Sequence, residues 1–149
     1  MTRAFVGLGS NLGDREATIR EAASRLDAVR LSTIRETEPW GNPDQPSFLN
    51  AVAELDTGLT LIELLGRMLA VELSLGRMRD GTKWGPRTID LDLLLYGDRQ
   101  VDQDGLTVPH PHLHERLFVL EPLAELDPAL EVPGKGPVSA LLARLQSTP

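Results

Sequence analysis

Two aspartates, Asp90 and Asp92, lie in a stretch where polar and apolar residues alternate, with Leu91 between them. Alternation with a period of two is typical of a β-strand with one buried face. On such a strand the two side chains share a face, with their backbones about 7 Å apart. Carboxylates this close repel, and each resists ionisation unless a cation lies between them. The spacing therefore points to a divalent metal ion that holds a polyphosphate.

Four basic residues precede these aspartates in a segment that contains glycines: Arg77, Arg79, Lys83 and Arg87. The cluster stands out because the chain carries a net charge of −7. Arginine binds phosphate oxygens through its planar fork, and it can stabilise the charge on a transferring phosphoryl group. Any one of these residues fits an ordinary salt bridge on a solvated strand. The set together favours a phosphate site, with Arg77 and Arg87 as the catalytic candidates.

The composition is typical of one globular domain. The chain has 149 residues, of which 41% are hydrophobic and 25% charged, so we expect a single domain spanning 1–149. Cysteine does not occur, which excludes disulfides, thiol catalysis and cysteine-ligated metal sites. The N-terminus lacks the layout of a signal peptide, and no apolar run approaches the ~20 residues of a membrane span. We expect a cytoplasmic monomer without a membrane partner, and the acidic charge argues against a nucleic-acid partner.

Hydrophobic periodicity, capping residues and turn residues predict the order of the elements. Asp14 is a good N-cap for the first helix. Thr60 and Glu63 form a capping box at the start of the second helix, which Gly76 ends. In chain order we predict a strand at 4–9, a helix at 15–29, strands at 30–36 and 48–56, a helix between Thr60 and Gly76, a strand at 88–96, a short strand near 100–101, and helices at 116–126 and 138–145.

This order, β-α-β-β-α-β followed by C-terminal additions, predicts an α+β fold of the ferredoxin-like sandwich type. In that arrangement the helices lie on one face of a mainly antiparallel sheet, under the apolar sides of the strands. Asn50, Asp90 and Asp92 then point to the opposite, open face. The segments 37–46 and 77–87 lie near its rim, so the unusual residues of the chain are gathered in one cleft.

Other residues in or near this cleft are also candidates. Asn50 is unusual in the middle of a strand, where asparagine is depleted. Trp40 lies in the proline-rich segment 37–46, and loops of this length within a compact domain are more often functional than not. Glu72 lies in the last turn of the second helix, where the helix dipole disfavours an anion. It is either a functional acid or a partner for Arg79.

Three histidines alternate in a short segment, at His110, His112 and His114. Alternation would suit a zinc site, but the neighbouring prolines interrupt the strand that would align the side chains. We therefore expect a single histidine, His110, to contact phosphate.

The run Lys83-Trp-Gly-Pro-Arg-Thr-Ile-Asp-Leu-Asp-Leu-Leu94 resembles the signature of the 6-hydroxymethyl-7,8-dihydropterin pyrophosphokinase family. The resemblance extends along nearly the whole chain and includes Gly-Ser-Asn-Leu at 9–12, Asp-Gln-Pro-Ser-Phe-Leu-Asn at 44–50, Gly-Arg-Met-Arg at 76–79, Val-Pro-His at 108–110 and Glu-Arg-Leu-Phe-Val-Leu at 115–120. It implies a folate-pathway enzyme that moves the terminal pyrophosphate of ATP onto the pterin hydroxymethyl group and releases AMP.

The resemblance also implies roles for individual residues. Asp90 and Asp92 would hold two magnesium ions that bridge ATP and the substrate hydroxyl, and Arg77 and Arg87 would contact the phosphates during transfer. The implied ATP contacts are Glu72, Arg79, Trp84, Thr107, His110 and Arg116. The implied pterin contacts are Thr37, Trp40, Phe48, Asn50 and Phe118, with the two phenylalanines on either side of the ring. Flat heteroaromatic ligands do favour stacking faces together with a few polar groups.

Two alternatives stay open at this point. A metal-dependent nucleotidyl transferase or cyclase also places paired aspartates on a ferredoxin-like sheet, but it attacks the α-phosphorus and releases pyrophosphate. A ligand-binding regulatory module or an RNA-binding module is the other. The acidic charge and an aromatic content of only 4% disfavour RNA. A regulatory module has no need of two aspartates beside four basic residues.

Overall fold

The main elements predicted from the sequence are present in the computed structural model, which describes residues 1–37, 47–76, 89–103 and 105–147. In chain order they are β1 (Thr2–Ser10), α1 (Arg15–Arg25), β2 (Arg30–Leu31), β3 (Arg35–Thr37), β4 (Phe48–Thr57), α2 (Leu61–Ser74), β5 (Asp90–Tyr96), β6 (Val101–Gln103), β7 (Leu106–Val108), α3 (Leu117–Leu126), β8 (Glu131–Val132), β9 (Gly136–Pro137) and α4 (Val138–Gln146). A 3₁₀ turn at Leu113–Glu115 precedes α3.

The central strand of the main sheet is β1, which lies between β4 and β5 and is antiparallel to both. Strands β2 and β3 pair with the other edge of β4, which gives the order β2/β3, β4, β1, β5. The register places Gly9 of β1 beside Asn50 of β4 and also beside Asp90 of β5. Because paired residues share a face of the sheet, Asn50 and Asp90 lie on the same face with a glycine between them.

Helices α1 and α2 cover one face of this sheet, as predicted. Their buried side chains pack against the apolar side of β1, β4 and β5. In α1 these are Ile19, Ala22 and Ala23, at the i, i+3, i+4 spacing that places residues on one side of a helix.

Both predicted helix starts are confirmed. The Asp14 carboxylate accepts a hydrogen bond from the first turn of α1, and Thr60 and Glu63 form the reciprocal capping box of α2. The first helix ends at Arg25 rather than near 29. Asp27 adopts a left-handed conformation, with φ of 58°, and this conformation cannot continue the helix.

The opposite face of the sheet is not open along its whole length, which corrects the prediction that the helices lie on one face only. Helices α3 and α4 pack against Phe5, Val52, Leu94 and Leu95 on this face. A register shift in the pairing of β1 with β5 makes Leu94 an extra residue, so that Leu94 and Leu95 both turn to this side. Removing such an apolar surface from water is favourable, and the C-terminal helices α3 and α4 bury it.

Two further predictions about elements need correction. The strand predicted at 30–36 is divided into β2 and β3, because Ser32 leaves the ladder and bonds to Val52 through both its backbone N–H and its Oγ (2.9 Å each). The strand predicted near 100–101 is the first half of a hairpin formed by β6 and β7. The predicted start of the strand at 88 lies outside the described residues. Among the helices that are described, none is long and apolar enough to cross a membrane.

Candidate active site

A cavity of about 830 Å³ lies between the polar end of the main sheet and the segment from His110 to Val119. Its floor comes from β1, β4 and β5, and β3 contributes one side chain. The candidates from the sequence that line it are Thr37, Phe48, Asn50, Asp90, Asp92, His110, Arg116 and Phe118. The fold therefore brings most of the described candidates to one place.

Two glycines of β1, Gly7 and Gly9, form part of the floor, although the sequence indicated no role for them. A Cβ atom at position 9 would lie 3.0 Å from Asn50 Oδ1 and 3.7 Å from a ring carbon of Phe48. At position 7 the nearest side-chain atoms, methyl groups of Leu94, would be 3.7 Å away. Glycine at position 9 thus leaves the Asn50 amide and the Phe48 ring accessible. The signal in the sequence was two glycines at alternate positions of a strand, where glycine often marks a close approach of a ligand.

Asp90 and Asp92 both face the cavity from β5, as the alternation predicts. Leu91, between them, is buried on the other face with the residues that α1 and α2 cover. Asp92 is exposed and Asp90 is half-buried. No group of three or more metal-binding side chains occurs in the described part of the chain. A carboxylate pair fits Mg²⁺, which binds one or two carboxylates and completes its octahedron with water and phosphate oxygens.

Behind the aspartates, the Glu72 carboxylate holds the backbone that connects them. Its Oε2 accepts a hydrogen bond from the Leu91 N–H at 2.9 Å, and Glu72 is only 7% exposed. The contact gives Glu72 a role that the sequence did not indicate, in which the last turn of α2 fixes β5. The predicted pairing with Arg79 and the predicted contact with ATP stay predictions.

His110 is half-buried at the edge of the cavity and has one ring nitrogen already engaged. Its Nδ1 accepts a hydrogen bond from the His112 N–H at 3.1 Å. Burial lowers the pKa of His110, and the charge of Asp92 opposes this only in part. The ring is therefore neutral at pH 7 with its proton on Nε2, a form that donates one hydrogen bond to an anionic oxygen. His112 Nδ1 lies 3.0 Å from one Glu115 carboxylate oxygen and His114 Nε2 lies 3.6 Å from the other. The expectation that the three histidines form no zinc site stays a prediction.

Two aromatic rings and an amide give the cavity a surface for a flat ligand. Phe48 of β4 and Phe118 of α3 are each half-buried, and both line the cavity. The Arg116 guanidinium lies 5.6 Å from the centre of the Phe118 ring. Asn50 Nδ2 donates to Thr37 Oγ1 at 2.6 Å, which anchors the amide beside Phe48. Stacking faces with a few polar groups are the usual lining of a heteroaromatic site.

Thr107 is the one described candidate, besides Glu72, that does not line this cavity. Its Oγ1 donates to Asp102 Oδ1 at 3.3 Å across the hairpin of β6 and β7. It lines a neighbouring cavity of about 490 Å³, to which His110 also contributes. The predicted contact of Thr107 with ATP stays a prediction.

Five candidates lie outside the described residues: Trp40, Arg77, Arg79, Trp84 and Arg87. Trp40 follows the cavity residue Thr37 by three positions in the chain, and Arg87 precedes Asp90 by three. Their roles stay predictions.

A mixed α/β fold with an antiparallel sheet and these groups in one cavity suits an enzyme that binds a phosphorylated substrate beside a flat heterocycle. Residues 5–128 match the model of the 7,8-dihydro-6-hydroxymethylpterin-pyrophosphokinase (HPPK) family. The chain belongs to this family.

Individual relatives agree with this assignment. The chain is 46% identical to the 2-amino-4-hydroxy-6-hydroxymethyldihydropteridine pyrophosphokinase of Methylorubrum extorquens, over 97% of this chain and 94% of the relative. It is also 46% identical to the protein of that name from Pseudomonas aeruginosa, over 95% of this chain and 90% of the relative. Among solved structures, Plasmodium falciparum HPPK-DHPS with pteroate is similar, with a TM-score of 0.72 over 97% of this chain. This chain spans 42% of that chain and is 14% identical to it, so the likeness shows the fold alone.

Proposed function

We propose that this protein transfers pyrophosphate from ATP to the hydroxymethyl group of 6-hydroxymethyl-7,8-dihydropterin and releases AMP, a reaction of folate biosynthesis. The observation that carries the proposal is the row formed by Asn50, Gly9 and Asp90 across three strands. It brings an amide suited to a heterocycle and a carboxylate suited to a metal-bound polyphosphate into one cavity. The family and the names of the relatives support the same reaction.

In this proposal Asp90 and Asp92 are the residues that would hold two magnesium ions. Their position on one face of β5, directed into the cavity, supports the assignment. When bound, magnesium neutralises charge on the polyphosphate and makes a coordinated hydroxyl more acidic. The protein contributes the fixed spacing of the two carboxylates, which the bond between Glu72 and the Leu91 N–H maintains.

The remaining polar groups would bind and orient the triphosphate. His110 donates through Nε2, and Arg116 supplies a cation at the wall of the cavity. Arg77 and Arg87 are assigned to the transferring group on the basis of the family resemblance alone. Arginines in that role stabilise charge that develops in the transition state. The other proposed ATP contacts are Glu72, Arg79, Trp84 and Thr107.

The pterin would lie against Phe48 and Phe118, with its polar edge toward Asn50. The hydrogen bond from Asn50 to Thr37 supports this placement, because it fixes the amide before the ligand arrives. Preorganised polar groups reduce the entropy that is lost on binding. Trp40 is the further proposed contact.

The reaction requires one bond to form and one to break. The hydroxymethyl oxygen attacks the β-phosphorus of ATP and loses its proton. The bond between that phosphorus and the oxygen that bridges to the α-phosphate breaks, and AMP leaves with the bridging oxygen. Holding the two substrates in line in one cavity supplies much of the acceleration, because it replaces an encounter in solution by a fixed geometry.

We also propose that the main sheet with α1 and α2 forms a ferredoxin-like unit. Two observations support this assignment. The element order is β1, α1, β2/β3, β4, α2, β5, with β2 and β3 in the place of one strand, and the antiparallel strand order is β2/β3, β4, β1, β5. Because the hydrophobic clusters on both faces share β1, β4 and β5, we propose a single domain. The monomeric state and the cytoplasmic location stay predictions from the sequence.

The reaction is tested by mixing the protein with Mg-ATP and 6-hydroxymethyl-7,8-dihydropterin and separating the products by chromatography. We expect AMP and pterin pyrophosphate in equal amounts, with no AMP when the pterin is omitted. Release of inorganic pyrophosphate would identify the alternative, a nucleotidyl transferase. No pterin-dependent AMP would refute the proposal.

A further inference from the structure

Arg15, the first residue of α1, joins two backbone segments next to the cavity. Its Nη1 donates to the Ser47 carbonyl oxygen at 2.7 Å and to both Ser47 Oγ and Glu36 Oε2 at 3.2 Å. The Ser47 hydroxyl donates to the same Glu36 oxygen at 2.6 Å. One guanidinium nitrogen thus connects a residue of β3 to the residue that precedes β4.

This network lies behind the cavity. Thr37 pairs with Phe48 and Glu36 pairs with Leu49, and successive residues of a strand point to opposite faces. Thr37 and Phe48 line the cavity, whereas Leu49 packs with the residues under α1 and α2. Arg15 therefore binds the immediate chain neighbours of two cavity residues from the helix side of the sheet.

We propose that Arg15 is a positioning residue that holds Thr37 and Phe48 at the spacing required by the pterin ring. The inference rests on the proposed function. Strand β3 is only three residues long, so its own ladder offers few backbone hydrogen bonds to maintain this spacing. The amide of Asn50 depends on the same geometry, because it donates to Thr37 at 2.6 Å.

The charges in the network make it stronger than a set of neutral hydrogen bonds. The Ser47 hydroxyl and then the Arg15 guanidinium lower the pKa of the Glu36 carboxyl, so Glu36 is ionised at neutral pH. Hydrogen bonds with one ionised partner are about twice as strong as neutral ones, and the shortest bond of Arg15 in this network is of that kind, to the Ser47 carbonyl oxygen at 2.7 Å. Solvent screens the attraction between Arg15 and Glu36, because the Glu36 side chain is 60% exposed. Loss of Arg15 removes this donor from the Ser47 carbonyl oxygen, and the hydrogen bond from the Ser47 hydroxyl to Glu36 remains.

The test compares Arg15→Ala and Arg15→Lys with Arg20→Ala. Arg20 is a matched control, because it also lies on α1 and pairs with Glu16 on the exposed surface. Pterin binding is measured by calorimetry with Mg²⁺ and a non-hydrolysable ATP analogue, and both KM values come from the AMP assay. We expect Arg15→Ala to weaken pterin binding, and to raise the pterin KM, by about tenfold, the value of one charged hydrogen bond. The KM of ATP should stay unchanged, Arg15→Lys should recover part of the loss, and Arg20→Ala should match the wild type.

Unchanged pterin affinity in Arg15→Ala would overturn the inference. An equal rise in both KM values would do the same, because it is the result expected of a general loss of structure. If the wild type binds pterin but forms no AMP, the proposed function fails and calorimetry still decides the role of Arg15. If the wild type does not bind pterin, both fail.

Discussion

Under the proposed function, the side chains in and around the cavity divide into groups that would contact the substrates and groups that position the cavity residues. We assign Asp92 to the first kind, since it is exposed in the cavity on a strand whose next four residues are buried. Glu72 and Arg15 are of the second kind, because their observed bonds go to backbone or to neighbours of cavity residues. The distinction matters for experiments, because loss of a group that contacts substrate and loss of a group that positions it change different kinetic constants.

Asp92→Asn keeps the size of the side chain and removes its charge. We expect kcat for AMP formation to fall by about 100-fold to 1,000-fold, as for the removal of other groups that stabilise transition-state charge. Circular dichroism should show an unchanged fold. Asp98→Asn is the matched control, because Asp98 is exposed on the turn that follows β5. Wild-type turnover in Asp92→Asn would make the pair a structural feature.

Gly9→Ala tests the floor of the cavity. The added Cβ would lie 3.0 Å from Asn50 Oδ1, so the amide must shift, and we expect pterin affinity to fall by about tenfold. The measurement is pterin binding by calorimetry. Gly66→Ala is the control, since nothing lies within 4 Å of a Cβ there. Unchanged pterin affinity in Gly9→Ala would remove Gly9 from the binding surface.

Among single residues, the site candidates that could be predicted from the sequence are those whose type is unusual for their position. Asn50 within a strand and the two aspartates with alternate spacing fall in this class, and the structure brings them into one cavity. Arg15 could not be predicted, because its partner Ser47 lies 32 residues away in the chain and neither residue is unusual where it occurs. Contacts of that kind depend on the packing of a helix against a strand edge.

At the scale of elements, the geometry of the carboxylate pair depends on the packing of α2 against β5. The last turn of α2 places Glu72 beside the edge of β5, and the bond to the Leu91 N–H satisfies a buried donor. A buried N–H without a partner costs about 1–3 kcal/mol. This hydrogen bond therefore couples α2 to β5 at the residue between the two aspartates.

Two variants of Glu72 separate its observed role from its predicted one. Glu72→Ala removes the acceptor, and we expect it to lower stability by about 1–3 kcal/mol and to lower kcat. Glu72→Gln keeps an acceptor of the same length, so it should retain most of the stability and turnover if fixing β5 is the main role. Thermal unfolding and the AMP assay measure both. A Gln variant as inactive as the Ala variant, but stable, would show that the charge itself is needed, as a contact with ATP or Arg79 requires.

The elements with strong periodicity and caps were predicted well, and those that depend on long-range contacts were not. Asp14 and the pair Thr60 and Glu63 are local signals, and both mark helix starts in the structure. The bulge at Leu94 is not visible in the sequence, because a run of leucines reads the same with or without an extra residue. The packing of α3 and α4 on the second face could not be inferred either, because it depends on contacts between residues far apart in the chain.

At the scale of the whole molecule, an ion network fastens the end of the sheet far from the cavity. Glu54 accepts hydrogen bonds from Arg3 (2.9 Å) and Arg30 (2.6 Å), and Arg3 also donates to Asp127 at the end of α3 (2.8 Å). Arg3 is six residues from Gly9 along β1, or about 20 Å. We therefore expect substitutions in this network to lower stability without changing the cavity.

Glu54→Gln removes the shared charge of this network. Burial alone would raise the pKa of Glu54, but the hydrogen bonds and charges of Arg3 and Arg30 outweigh it and lower the pKa below its ordinary value of 4.5. The carboxylate therefore contributes stability at pH 7. We expect Glu54→Gln to lower the free energy of unfolding there by about 1–3 kcal/mol, because the arginines are partly exposed and solvent screens the pair.

The same network has a defined pH dependence. For a group whose pKa is lowered by folding, the stabilisation is complete above the unfolded pKa and is lost as pH falls through the folded one. The stability curves of the wild type and Glu54→Gln should therefore stay apart at pH 6–8 and converge below about pH 4.5, where protonated Glu54 resembles glutamine. Urea unfolding at a series of pH values measures both curves. Glu16→Gln, in an exposed pair with Arg20, should follow the wild type throughout. If the gap between the curves of the wild type and Glu54→Gln did not narrow as the pH fell below about 4.5, shape and not charge would give Glu54 its effect.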